Sequence, residues 1–143
     1  MPAPACVVLI TGMASRLLLS FYGDDFTGST DALEALTRAG LRTVLFTNPP
    51  SAEQLSAVEG LQAFGIAGRS RSFSPKEMQE QLVPALAALR DSGAPIAHYK
   101  ICSTFDSSPD QGSIGKAIEV GRDIFGTRSV PVVGGAPSLG RYC

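Results

Sequence analysis

Apolar and polar positions change period several times along the chain, and each change marks a new element. Leu17-Leu-Leu-Ser-Phe-Tyr22 is a nearly unbroken apolar run, as expected of a strand buried on both faces. Behind it, Ala32, Leu33, Ala35, Leu36 and Ala39 recur at helical spacing until Gly40 supplies a stop. The alternation continues as strand 16–22, helix 28–39, strand 42–47, helix 51–58, strand 61–67, helix 75–91, strand 95–102, helix 111–125 and strand 129–134. Strand and helix in strict alternation imply right-handed crossovers and a mostly parallel sheet covered on both faces. The expected fold class is α/β, a three-layer Rossmann-like domain with about five strands. Pro84 falls inside the helical pattern of 75–91, so a kink or a late helix start is expected there.

The connections after the apolar strands are where polar residues gather. Tyr22-Gly-Asp-Asp-Phe-Thr-Gly-Ser-Thr-Asp31 packs carboxylates, hydroxyls and glycines into one strand-to-helix turn, the place where open α/β sheets collect ligands. Asp24 and Asp25 can accept hydrogen bonds from ligand hydroxyls or cap the following helix. Capping needs one side chain, and Ser29, Thr30 and Asp31 are also available for it, so the surplus favours a site. His98-Tyr-Lys-Ile-Cys-Ser-Thr-Phe-Asp-Ser-Ser-Pro109 is a second such cluster. There Lys100 offers a fixed charge to a carboxylate or phosphate, and Ser103, Thr104 and Asp106 offer short hydrogen-bonding groups. Ser108 reads as the cap of the next helix. A third turn, Gly68-Arg-Ser-Arg-Ser72, contributes Arg69 as the better candidate for a bidentate carboxylate contact and Arg71 as the lesser.

Other patterns reduce to structure. Gly112-Ser-Ile-Gly-Lys-Ala117 has the Gly-Lys of a phosphate loop, but its glycines are too close together and Ala117 stands where a magnesium-binding hydroxyl is needed. His98, the single histidine, has no ligand or catalytic partner at useful spacing. Cys102 falls in an apolar strand without a paired base and reads as an inert thiol.

Composition narrows the partners. With 143 residues the chain is the size of one domain. A net charge of −1 provides no basic stripe for nucleic acid. Three widely spaced cysteines, Cys6, Cys102 and Cys143, make neither a disulfide framework nor a metal pair, which suits a reducing cytoplasm. The apolar stretch Ala5–Ile10 is far short of the roughly 20 residues that span a bilayer. It also lacks the basic residues that open a signal peptide. Residues 1–15 read as an extension or start region, and 16–143 as the domain. The terminal Val130–Cys143 stops just after a strand and a glycine-rich turn, so the chain is expected to be the front portion of something longer.

At Gly-Asp-Asp-Phe-Thr-Gly-Ser-Thr-Asp and His-Tyr-Lys-Ile-Cys-Ser-Thr-Phe-Asp-Ser-Ser-Pro, the chain resembles the four-carbon acid sugar kinase family. The second motif is most similar to its 3-oxo-tetronate 4-kinase branch. The resemblance implies an N-terminal α/β domain that binds a sugar acid and a C-terminal domain that binds ATP with Mg²⁺, this chain corresponding to the first alone. It implies that Asp24, Asp25, Ser29, Arg69, Lys100 and Ser103 line the sugar-acid pocket, with Asp24 or Asp25 a candidate base. No cofactor or metal is expected on this portion, and kinase activity is not expected of it alone. Homo-oligomerisation stays open. The rival reading is a non-enzymatic module that binds a small acid or a partner; some members of that family carry a type III effector label.

Overall fold

The computed structural model of the chain describes residues 17–135 and 140. The expected extension over 1–15, and residues 136–139 and 141–143 of the glycine-rich terminus, lie outside the described residues. Elements follow in the order β1 (Leu19–Gly23), α1 (Phe26–Arg38), β2 (Thr43–Phe46), α2 (Ala52–Ser56), β3 (Ala63–Ala67), a 3-10 turn (Ser70–Ser72), α3 (Pro75–Asp91), β4 (Ile96–Lys100) and α4 (Ile114–Phe125). The strands form one parallel sheet in the order β2-β3-β1-β4, with Phe21 beside Gly65 and His98 and Tyr22 beside Ile66 and Tyr99.

Because side chains alternate along a strand, this register sorts the sheet into two faces. Tyr22, Phe64 and Ile66 point to the side where α3 and α4 bring Met78, Leu82, Leu86, Leu89, Ala117 and Val120, all of them buried in one cluster. Leu55 of α2 packs against the same cluster. The opposite face is covered by α1, which lies over β1, β2 and β3. There Phe21 occupies the space above Gly65 so closely that a Cβ at 65 would fall 2.1 Å from the ring. α1 touches the outer strand β4 less than the other three, and Ile96 of β4 remains 55% exposed. The three layers are thus α1, the sheet, and α2 with α3 and α4.

Several sequence expectations are corrected. Only four strands are present among the described residues, one fewer than expected, because residues 129–134 pair with nothing. Pro131 has no N–H to give a ladder, and Val133 stays 83% exposed. An apolar run carried the strand reading, yet a run alone cannot distinguish a paired strand from an extended tail. β4, α4 and residues 127–133 instead line an apolar cavity of about 620 Å³. α3 starts at Pro75, where Ser74 forms a capping box with Glu77, so the late start suggested by Pro84 does not occur. Pro84 is on the exposed side of α3, where the Glu80 carbonyl it leaves without a donor can meet water. α1 begins before Ser29, with Asp25 as its cap, and α4 is capped by Ser113. Ser108 makes a turn with Gln111.

Candidate functional site

The carboxyl ends of β3, β1 and β4 lie side by side, since these strands are parallel neighbours. The chain leaves β1 toward the α1 face and leaves β3 and β4 toward the α3 and α4 face. A crevice opens where adjacent strands send their connections to opposite faces, and β1 stands at that point. Its walls are the turns after β1, β3 and β4, the three polar clusters read from the sequence.

Asp24, the first residue past β1, is 4% exposed. Its N–H donates to the Lys100 carbonyl at 3.0 Å, and its carbonyl accepts from the Arg71 N–H at 3.2 Å. Oδ2 accepts from the Cys102 N–H at 3.2 Å. Oδ1 is buried without a hydrogen-bond partner, the one side-chain atom of that kind among the described residues. Burial pushes the Asp24 carboxyl above the ordinary aspartate range, and Asp25 adds to the push, while the Cys102 N–H, Arg71 and Lys100 oppose it. Asp25 has no oxygen to spare: Oδ1 accepts the Gly28 N–H at 2.6 Å and Oδ2 accepts from Arg71 Nη1 at 3.0 Å. One aspartate therefore caps and anchors, and the other retains an unused acceptor.

Ser29 is wholly buried and donates to the Asp25 carbonyl at 2.6 Å. It presses on β1 so tightly that a Cβ at Gly23 would sit 2.0 Å from its hydroxyl, which is why only glycine fits there. Ser29 thus shapes the crevice from beneath. Lys100, half-buried at the end of β4, donates from Nζ to the Ile101 carbonyl at 2.6 Å. No carboxylate among the described residues lies within ion-pair distance of it. A Cβ at Gly28 would be 3.7 Å from Nζ, so the ammonium hangs over the first turn of α1. A cation beside a helix amino terminus is unfavourable until an anion joins them. Ser103 is in the turn closed by the Phe105 N–H on the Cys102 carbonyl at 2.9 Å.

The two arginines part company. Arg69 is exposed, its guanidinium 5.6 Å from the centre of the Phe73 ring. Arg71 turns inward and reaches Asp25 and, from Nη2 at 3.6 Å, Asp106. It ties the turns after β1, β3 and β4 with a single side chain. Nothing in Arg-Ser-Arg marks which arginine the 3-10 turn carries inward; buried Ser70, hydrogen-bonded to Tyr99 at 2.8 Å, sets that direction. His98 lines the apolar cavity instead, where desolvation, and then Lys100, hold its imidazole below its usual range.

The Gly-Lys segment does not form a phosphate loop. It opens α4, with Ser113 accepting from the Lys116 N–H and Lys116 Nζ paired with Glu119 at 3.2 Å, so no loop of free N–H groups there cradles a phosphate. Nor does any group of three or more His, Cys, Asp or Glu among the described residues have the arrangement to hold a metal ion.

Fold and polar turns together define an α/β domain with three polar clusters at the carboxyl edge of its sheet, the place where open α/β sheets collect ligands. The chain belongs to the family described as the sugar-binding N-terminal domain, whose model it matches over residues 19–143. It is 51% identical over 133 residues to 3-oxo-isoapionate kinase of Paraburkholderia graminis, covering 92% of this chain and 28% of that protein. It is 37% identical over 126 residues to 3-oxo-tetronate kinase of Pseudomonas fluorescens, covering 88% of this chain and 29% of that one. A crystal structure from Salmonella typhimurium LT2, carried under the name of a tRNA synthase, superposes with a TM-score of 0.69 at 33% identity. That match covers 78% of this chain and 26% of the other. The chain therefore spans a little over a quarter of the length of these relatives.

Proposed function

We propose that this domain binds the sugar-acid acceptor of an ATP-dependent kinase that phosphorylates 3-oxo-tetronate or a related acid. The observation that carries this reading is the ammonium of Lys100 poised over the first turn of α1, beside the buried Asp24 with its unused oxygen. An acid's carboxylate satisfies the first and its hydroxyls the second. Ser103 supplies a further hydroxyl at the rim, and Ser29 and Gly23 set the depth. Arg69 remains a contact for a ligand long enough to extend past Phe73. The reading has Asp24, not Asp25, as the group able to take a proton from an acceptor hydroxyl, because both Asp25 oxygens are engaged.

Phosphoryl transfer needs a phosphate cradle and charge neutralisation, which ATP and Mg²⁺ would receive from residues outside this domain. The kinase names of the relatives support that division, and a cytoplasmic location accords with it. The related names make 3-oxo-isoapionate and 3-oxo-tetronate the first acids to test. Calorimetry should detect binding of one of them to the chain, weakened at least tenfold in Lys100→Ala at unchanged fold. Equal affinity in the variant would remove Lys100 from the site, and silence with every sugar acid would remove the site.

A further inference from the structure

The contact between Arg71 and Asp106 is built unlike the contact of the same guanidinium with Asp25. Nη1 makes a hydrogen bond of 3.0 Å to Asp25, whose side chain is 25% exposed and fixed by its capping bond to Gly28. Nη2 stands 3.6 Å from Asp106, whose side chain is 65% exposed. That distance is an ion contact, too long for a hydrogen bond. The same Asp106 oxygen already accepts from Thr104 Oγ1 at 2.7 Å. The turn behind it is strained, because Phe105 holds a left-handed φ of 58° without being glycine. Asp106 is thus a weakly held carboxylate, on a strained turn, resting on the outward half of an arginine whose inward half is locked.

Resting on the sugar-acid reading above, we infer that Asp106 occupies the place of an acidic group of the ligand and is displaced by it. Arg71 donates to that group, sharing the one carboxylate of the acid with Lys100. Its locked half keeps the guanidinium oriented, and its loosely held half offers a donor aimed at the crevice side of the turn after β4. A ligand carboxylate that makes a true hydrogen bond there outcompetes a contact at 3.6 Å. Its arrival releases Asp106, and with it the turn that carries Ser103 and Thr104. The domain thereby contains its own competitor for the ligand's charge, which lowers affinity for acids and leaves uncharged polyols unaffected.

The test is calorimetry on the full chain with threonate, erythronate and 3-oxo-tetronate as charged probes and erythritol as the neutral one. Asp106→Asn removes the competing charge on an exposed side chain and should tighten the binding of acids by several-fold without changing that of erythritol. Arg71→Lys should weaken acids at least tenfold, and combining it with Asp106→Asn should abolish the gain. If the wild-type chain binds an acid and Asp106→Asn leaves affinity equal or weaker, Asp106 is no surrogate and this inference fails while the sugar-acid reading stands. If no sugar acid binds the wild-type chain, both fail together. A gain shared by erythritol also overturns it, since a competitor for charge cannot act on a ligand without any.

Discussion

At the residue scale, adjacent Asp24 and Asp25 have opposite fates because the chain turns into a helix between them. Asp25 caps and pairs; Asp24 stays on the strand side, buried and half-satisfied. Burial raises the Asp24 carboxyl above its ordinary value, so the fold penalises its charged form. A raised carboxyl contributes stability in acid, below the ordinary aspartate value of 3.8, and that contribution is lost as pH rises through the folded value. Asp24→Asn should therefore raise the Tm at pH 7, and the advantage should shrink as the pH is lowered toward 3, while affinity for sugar acids drops. Thermal melts across that range check the sign. A gain that grows toward low pH would contradict it. The candidate residues were legible as a group, because surplus polar side chains at strand ends have few structural uses. Which aspartate caps and which arginine turns inward was not legible, since the first depends on a helix start two residues earlier than expected and the second on a 3-10 turn that no periodicity announces.

At the scale of elements, the crevice is held by connections more than by the strands beneath them. Arg71 is the joint between them, and its pair with Asp25 is partly exposed, so its coupling should be modest, about 0.5–1 kcal/mol in a double-mutant cycle of Asp25→Ala and Arg71→Ala. Asp25→Ala alone should cost about 1 kcal/mol more than that, from the lost cap of α1. Denaturant unfolding of the two single variants and the double variant measures both. Gly23→Ala should be worse than either, by about 1–3 kcal/mol, because its Cβ meets the Ser29 side chain inside van der Waals contact. Four strands and four helices were readable from the change of period. The failure at 129–134 came from a proline whose missing donor matters only once a partner strand is sought.

For the whole molecule, the proposed reading assigns the acceptor and the phosphate donor to different parts of a larger enzyme. On the proposed reading the domain positions an acceptor, while among the described residues the Gly-Lys segment is taken up in opening α4. The chain by itself should show no ATP turnover above background in a coupled ADP assay with any of the sugar acids, even at concentrations that saturate binding. Measurable turnover would overturn the assignment of acceptor and donor to different parts of a larger enzyme.

The position of β1 has a consequence for biosynthesis. The earliest strand among the described residues lies in the middle of the sheet, so it emerges from the ribosome with both edges bare. One is covered when β3 appears, and the other must wait for β4, whose Ile96 meets a Ser20 made 76 positions earlier. At roughly 5–20 residues per second that interval is about 4–15 s, during which an apolar strand has an open side. Asp24 and Asp25 are translated first, yet the crevice they serve cannot exist until the turn at Lys100 is delivered. For this domain the time of greatest exposure to aggregation and the time before ligand rescue becomes available are the same interval.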